Sequence, residues 1–511
     1  CFVLALFESN KLNIMNKILP IILLGTSFTS CTQAGDSQSE KQPNIVLIIG
    51  DDISWNDYGC YGNPDVKTPN IDNLATEGIK FTNAYLTASS CSPSRCSIIT
   101  GRYPHNTGAH ELRLPLPMDQ LLFPKVLKEN GYYTAHAGKW HFGVNEFSGP
   151  GLEAFDSYGN DSDGGKKDGG EEQWVNRIKN RPQDKAFFMW FASNDAHRKW
   201  SADSFLPPHN PDSLNVPPFL IDDAATRNDL ASYYNEIARF DFYIGEVVKE
   251  LSKQGVLDNT VILVLADNGR PFPRCKTRVY DSGMKTGLIF RWGDKIDQGI
   301  TSDALVSVID IAPTLLDIAG IKAGKTFQGR SFAGLFDNPD AEFRNYIFSE
   351  HNWHDYESYE RQVRTKDFMF IYNGRPLLNN IGGADVVRSP SMKSLFNAHE
   401  SNLLTDAQSD IFLGPRPVKE FYNCRKDPLQ LNNIIDDKNY INQIEELERI
   451  LKKWQKQTGD TEPAIITKDH FDRKTGAFLL GEAEKINKTV IRGEIPGKSK
   501  HATNINHPGP F

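Results

Sequence analysis

The sequence predicts an α/β fold in which a large, mostly parallel sheet lies between helices, followed by a smaller C-terminal α+β region with an antiparallel sheet. Three observations lead there. The runs 43–50, 186–192 and 260–266 are apolar almost without interruption, as strands are when helices cover both faces of a parallel sheet. Apolar residues at Leu230, Tyr233, Ile237, Phe240, Ile244, Val247 and Leu251 keep helical spacing through 224–253, which marks a core-packing helix rather than a site. Past residue 344, strand-like runs at 344–350, 367–372 and 420–423 precede an amphipathic helix at 441–457, and these make the smaller region.

A chain of 511 residues suits one large and one small domain. A net charge of −8 and the lack of a basic arm exclude a general attraction to nucleic acid, so a polyanionic substrate needs a local basic pocket. Met15-Asn-Lys17, the apolar stretch Ile18–Gly25 and the small residues leading to Cys31 read as a secretory signal too short to span a bilayer. Cys31 resembles a bacterial lipoprotein cleavage site where the thiol is lipidated, with cleavage near Ala34 as the alternative; the first fourteen residues lie upstream of the expected start. The expected organisation is upstream residues and signal at 1–31, a polar tether at 32–42, the catalytic domain at 43–360, a C-terminal subdomain at 361–475 and a mobile basic tail at 476–511. Cysteines at 1, 31, 60, 91, 96, 275 and 424 show no zinc spacing, and a chain this long needs no disulfide framework, though one pair could bridge.

Taken in order, the first strand runs to Gly50 and ends in Asp51-Asp52. Adjacent carboxylates at the edge where open α/β sheets bind ligands repel one another unless a cation separates them; otherwise they are ordinary loop acids. Thr68-Pro69-Asn70 opens a helix with Asn70 as its cap. The stretch Cys91-Ser-Pro-Ser-Arg-Cys-Ser-Ile-Ile-Thr-Gly-Arg102 follows. Pro93 suits a first helical turn, which puts Cys91 at a helix N-terminus that favours anions, with Arg95 as a positive fork beside it. Spacing alone leaves Cys91 open as a structural thiol, a reactive thiolate or a converted residue.

A helix at 121–131 and a strand at 132–138 deliver Lys139-Trp140-His141 to the same edge. Residues 159–172 read as a loop, and the strand 186–192 leads to Asn194-Asp195-Ala196-His197-Arg198. The proline-punctuated segment 207–218 reads as a lid over the pocket. The strand 260–266 ends in Asp267-Asn268-Gly269, and Lys276 lies four residues before Tyr280-Asp-Ser-Gly283. Residues 302–319 read as a helix that Pro313 interrupts or starts, and His351, His354 and Arg361 are expected at the pocket rim.

Cys91-x-Pro-Ser-Arg95, three residues on followed by Ile-Thr-Gly-Arg102, resembles the signature of type I sulfatases, and Gly138-Lys-Trp-His-Phe-Gly143 resembles their second motif. Five motifs in the family's order span about 43–460. Asp267-Asn-Gly-Arg-Pro-Phe-Pro273, Asp195-x-His-Arg198 and Val216-Pro-Pro-Phe219 are most similar to the heparan N-sulfatase (sulfamidase) group. The chain departs at Ala196, where most sulfatases have Pro, and at Lys276, where the human-type enzyme has Arg.

The resemblance implies an alkaline phosphatase-like sandwich and a Cys91 oxidised to formylglycine by a formylglycine-generating enzyme. Asp51, Asp52, Asp267, Asn268 and converted Cys91 would then hold a divalent metal, and so hard an oxygen shell suits Ca²⁺ better than Mg²⁺. Arg95 would hold the nucleophile, and Lys139, His197 and Lys276 would face the sulfate. His197 would protonate the leaving atom, and His141 would help regenerate the aldehyde. Asp195, Arg198, His351 and His354 would touch the sugar. The implied substrate is a sulfated oligo- or polysaccharide carrying sulfate esters, met in the periplasm or at the outer membrane of a bacterium. Alternatives are an N-sulfoglucosamine sulfohydrolase, a phosphonate or phosphodiester hydrolase on the same scaffold, and a non-enzymatic glycan-binding lipoprotein in which Cys91 stays unconverted.

Overall fold

The computed structural model describes residues 41–142, 149–159, 170–479, 492–494 and 502–511. The signal, nearly all of the tether and most of the 159–172 loop lie outside the described residues. Seven strands form the main sheet: β1 (Asn44–Gly50), β2 (Ile79–Tyr85), β3 (Tyr133–Gly138), β4 (Phe187–Ala192), β5 (Thr260–Ala266), β6 (Leu288–Arg291) and β7 (Ile300–Ser307). Their spatial order is β3-β4-β1-β5-β6-β2-β7, with β6 antiparallel to both neighbours and every other pairing parallel. All seven residues of β1 are buried. Ile45, Leu47 and Ile49 enter the core on one face, Val46 and Ile48 the core on the other, as strand alternation requires when helices cover both sides. The helix Ala224–Lys253, opened by the Asp223 side chain bonding the Thr226 amide, lines the second of these cores.

Four further strands, β8 (Ile347–His351), β9 (Glu360–Arg364), β10 (Phe368–Asn373) and β11 (Lys419–Asn423), form an antiparallel sheet ordered β11-β10-β9-β8. The helix Ile441–Thr458 lays Leu447, Ile450, Leu451 and Trp454 against Phe348, Val363, Phe370 and Phe421 of that sheet, and Trp454 stacks on Phe348 at 5.1 Å between ring centroids. Gln42–Phe511 cluster as one compact unit. Because β8 already belongs to the second sheet, the division expected between residues 360 and 361 falls after that sheet has begun. Among the described residues no helix is long and apolar enough to cross a membrane, and Cys60, Cys91, Cys96, Cys275 and Cys424 are unbridged thiols.

Several local expectations are corrected. The stretch 302–319 is no single helix: β7 pairs in parallel with β2, and the helix starts only at Ile311. Pro313 thus occupies the first turn, where no N–H is required; the residues upstream are left free to pair as a strand. Thr68, not Asn70, precedes the helix Pro69–Thr76. The amides of Asn70 and Ile71 donate instead to Asp241 of the long helix, at 3.2 and 2.8 Å. The end of the expected mobile tail is packed: carbonyls of Thr503 and Ile505 accept from the buried Arg102 guanidinium at 2.8 and 2.9 Å. The Arg344 guanidinium lies 4.0 Å from the Phe511 ring centroid. The proline segment 207–218 is no lid over the carboxylates. It is tied to the long helix through His209 and Asn235, and with Trp55, Tyr61 and Tyr234 it lines a separate cavity of about 460 Å³.

Candidate active site

Four adjacent parallel strands, β3, β4, β1 and β5, end at one edge of the main sheet. Each hands its next residues to the same place: Lys139 and His141 after β3, Asp195 and His197 after β4, Asp51 and Asp52 after β1, Asp267 and Asn268 after β5. Backbone bonding continues past the strand ends and keeps these loops in register. The Asp51 amide donates to the Asp195 carbonyl at 2.7 Å, and the Asp267 amide to the Gly50 carbonyl at 3.1 Å. Asp52 and His141 have left-handed backbone (φ 60° and 53°), a conformation that costs a non-glycine residue on the order of 1 kcal/mol and clusters at functional sites.

The fifth contributor arrives on a helix. All ten residues of Cys91–Thr100 are buried, with Ser90 preceding the helix and Gly101 ending it in left-handed geometry at φ 61°. A Cβ at Gly101 would lie 2.8 Å from the Phe327 ring, so the signature glycine is needed both for its dihedral and for its lack of a side chain. Two of the helix's polar residues are met internally: the Thr87 hydroxyl donates to Ser97 at 2.6 Å and the Thr100 hydroxyl to the Cys96 carbonyl at 2.6 Å.

Cys91 Sγ lies 3.5 Å from Asp51 Oδ1 and 3.8 Å from Asp52 Oδ1. One ligand atom from each of Asp51, Asp52, Cys91 and Asp267 falls within 4.8 Å of the others, and all four residues are buried. The cluster fits a metal on two grounds. Three carboxylates so close in the interior repel unless cations lie between them, and the buried Asn268 Oδ1 has no hydrogen-bond partner while its Nδ2 donates to Asp52 at 2.5 Å. Around the acids stand three cations. Arg95 Nε donates to Asp267 at 2.7 Å, Lys276 Nζ to Asp52 at 2.8 Å, and Lys139 to Asp51. Burial opposes the charge on both ammonium groups, yet Asp51 for Lys139, and Asp385 and Asp52 for Lys276, raise their pKa above the ordinary lysine value. Three acids therefore meet three bases. A divalent ion added to that neutral set leaves two positive charges in the interior, a site that demands an anionic guest. Burial, and then Lys139, hold the His141 imidazole well below its usual range, so it is neutral and able to accept a proton. Burial also pushes the Cys91 thiol well above its usual range, with Lys139 opposing.

Of the residues singled out in the sequence, Asp51, Asp52, Cys91, Arg95, Lys139, Asp267, Asn268 and Lys276 are linked here by direct contacts, and His197 Nε2 stands 3.9 Å from Asp52 Oδ2. The four expected sugar contacts are placed otherwise. Asp195 is 2% exposed and held by Arg239 at 2.6 Å; Arg198 forms a two-pronged pair with Asp229 at 2.6 and 2.7 Å. His354 Nδ1 lies 2.7 Å from the Ser90 hydroxyl, under the head of the signature helix. His351 is 3% exposed, and burial followed by Arg278 lowers its pKa to about 3. Arg361, expected at the rim, is wholly buried and pairs with Asp460 at 2.7 Å. Asp195, Arg198, His354 and Arg361 each looked free in one dimension and have an interior partner elsewhere in the chain, while His351 is simply buried.

Two residues escaped sequence reasoning. Asp385, in the short helix Ala384–Val387 that follows Gly382-Gly383, reaches Lys276 Nζ at 3.0 Å and lies 3.8 Å from His197 Nε2. Arg113 is exposed and left-handed (φ 63°), its amide donates to Ser92 at 2.8 Å, and its charge is felt at both His141 and His354. Neither stands in a motif; the only local sign was the Gly-Gly pair before Asp385.

Residues 43–321 match the family described as Sulfatase, and residues 275–375 match the family described as N-sulphoglucosamine sulphohydrolase, C-terminal. The chain is 28% identical to an ulvan-active sulfatase of Formosa agariphila, over 84% of this chain and 77% of the relative. It is 28% identical to human N-sulphoglucosamine sulphohydrolase, over 82% and 90%, and 25% identical to an N-acetylglucosamine-6-O-sulfatase of Bacteroides thetaiotaomicron, over 89% and 94%. Among solved structures, a protein in complex with its substrate D-glucosamine-2-N,6-O-disulfate shares the fold with a TM-score of 0.63 at 22% identity, covering 81% of this chain and 98% of that one. A 2-O glycosaminoglycan sulfatase does so with a TM-score of 0.62 at 21% identity, covering 81% and 92%.

Proposed function

This chain belongs to the sulfatase family and is a sulfuric ester hydrolase, and from that premise we propose that it removes sulfate from sulfated saccharides with a formylglycine made from Cys91. The observation that carries the reading is the buried meeting of Asp51, Asp52, Asp267 and Cys91 beside Arg95, Lys139 and Lys276. Asp51, Asp52, Asp267, Asn268 and the converted Cys91 would hold a divalent ion, which we take to be Ca²⁺ because the donors are hard oxygens. When bound, that ion supplies charge to acidify the nucleophile and to offset the sulfate oxygens.

The chain's own residues do the remaining work. Arg95, fixed on Asp267, keeps a positive fork on the nucleophile. Lys139 and Lys276 bind and orient the sulfate oxygens, where charge has to be met for in-line displacement. His197, the most exposed of the groups around the acids, with 35% of its side chain accessible, donates its Nε2 proton to the leaving atom. Neutral His141 accepts the proton whose removal releases sulfate and restores the aldehyde.

Sulfate esters on a glycan are the first reading of the substrate. An N-sulfate is the second, favoured by the C-terminal family match and the human relative. Export with Cys31 lipidated, and maturation by a formylglycine-generating enzyme, belong to the same proposal. The test is Cys91→Ala, expected to lose turnover entirely while melting as the parent does, together with intact mass showing loss of the thiol in the active protein. Turnover surviving in Cys91→Ala would refute the covalent scheme. Faster hydrolysis of phosphate or phosphonate esters than of sulfates would move the chain to the alternative chemistry.

A further inference from the structure

The cavity of about 460 Å³ beside the proline segment contains none of the catalytic acids, bases or Cys91, and its lining has a different chemistry. Its size falls within the roughly 300–1,000 Å³ of small-ligand pockets. Two loops far apart in sequence are clipped together at its edge: the Asp65 carboxylate accepts the Asn215 amide at 2.6 Å and Asn215 Nδ2 at 3.0 Å. Aromatic rings and prolines supply the walls, and the rings are fixed in place. Tyr61 meets Trp55 edge to face at 6.3 Å, and its hydroxyl accepts the Leu288 amide at 2.9 Å and donates to the Phe81 carbonyl at 3.0 Å. Lys285 Nζ lies 4.1 Å over the Trp55 ring without itself lining the cavity. A wall already held this way loses little freedom when a guest binds.

The polar groups say which guest fits. Three charged residues line the cavity, Asp65, Arg270 and Asp281. Arg270 pairs with Asp57 at 2.6 Å and Asp281 with Arg364 at 2.9 Å. Asp65 has neutral amide partners and no ion-pair partner among the described residues. An anionic guest would therefore meet one uncompensated carboxylate and no unpaired cation, the reverse of the catalytic cluster. The groups left without a hydrogen-bond partner among the described residues are neutral: the Trp55 indole N–H, Asn56 Nδ2 and Asn215 Oδ1. A wholly apolar guest would strip water from these groups and return no hydrogen bond. A sugar ring matches both halves of the lining, since its C–H faces pack on aromatic rings while its hydroxyls donate and accept.

We propose that this cavity is a second saccharide-binding site, which takes an uncharged sugar ring against Trp55 and bonds its hydroxyls through Asn56 and Asn215. It goes beyond the sulfatase reading and does not depend on it.

The test titrates methyl glucoside and methyl galactoside, and the 6-sulfate of each, into the full chain, read by saturation-transfer NMR and calorimetry. At least one uncharged glycoside should bind with a Kd on the order of 1 mM, as so small a ligand allows. Trp55→Ala should weaken that binding about tenfold or more by removing the packed ring. Asn56→Asp keeps the oxygen that Arg270 bonds and removes only the free donor, so it reports even where Trp55→Ala fails to fold; it should cost about threefold to tenfold. Cys91→Ala should leave the affinity unchanged. Binding of neither uncharged glycoside at concentrations up to about 50 mM overturns the proposal. So does binding that both cavity variants leave intact, or binding that Cys91→Ala abolishes, because the sugar then lies elsewhere. Sulfated glycosides that bind tighter than their parents, and lose that binding in Trp55→Ala, overturn the preference for an uncharged ring. A dimer in solution that Trp55→Ala dissociates gives the cavity to a second copy of the chain and overturns it as well.

Discussion

Removal of the last ten residues should loosen the signature helix from a distance. Arg102, the final residue of the signature, is wholly buried, and burial lowers its pKa only to about 10, so it is a charged guanidinium at neutral pH. It donates from Nε to the Asn106 carbonyl at 3.1 Å, from Nη1 to the Thr326 carbonyl at 2.7 Å, and from Nη2 to the carbonyls of Thr503 and Ile505 at 2.8 and 2.9 Å. Deleting 502–511 strips both acceptors from Nη2. The same cut takes the Ala502 carbonyl from Asn106 (2.7 Å), the His507 carbonyl from Gln328 (2.9 Å) and the Pro508 carbonyl from Tyr103 (3.2 Å). Hydrogen bonds to a charged group are worth about 1.5–3 kcal/mol each, and water can enter to replace part of the loss, which leaves a destabilisation of roughly 3–5 kcal/mol. In a chain this large that is a fall in the thermal midpoint on the order of 5 °C. The decisive assay is a double-mutant cycle between the deletion and Arg102→Met, read by thermal melting at one scan rate. Groups that act together should show a coupling of about 2 kcal/mol. If the two losses add within about 0.5 kcal/mol, or the deletion melts with the parent, the docking argument fails.

Other outcomes follow from the same geometry. Burial, and then the Asp195 charge, push the Glu236 carboxyl from 4.5 up to about 8. The folded protein therefore holds a proton that the unfolded chain has lost between those values, and stability declines as pH rises through that window, by at most about 1.4 kcal/mol per pH unit. Glu236→Gln should flatten this slope in melts run from pH 5 to 9, and an unchanged slope would assign the pH dependence elsewhere. Arg113→Ala should raise KM about twofold to fivefold for substrates with a second anionic group, with less salt dependence and little change in kcat. An identical KM at low and high salt would remove Arg113 from the site.

How much was legible in one dimension depended on the range of the interaction. The apolar runs at β1, β4 and β5 identify themselves because both faces are buried, and the acids that follow stand at the sheet edge because parallel neighbours end together. The long helix, the helix 441–458 and the head of the signature helix are equally local. The stretch 302–319 misled because its apolar residues fit either period, and only pairing with β2 assigns the first half to a strand.

The chemistry of this site, its acids, its cysteine and its cations, was thus determined by the sequence: each lies within a few residues of a strand end or a helix start, where backbone propensity decides position. Partnership was decided by the tertiary structure. Arg239 holds Asp195 from 44 residues away, Lys276 meets Asp385 across 109, and Arg102 finds Thr503 across 401. An ion pair or a buried donor is satisfied by whatever folding brings within about 3 Å, and no local preference of the chain encodes that choice.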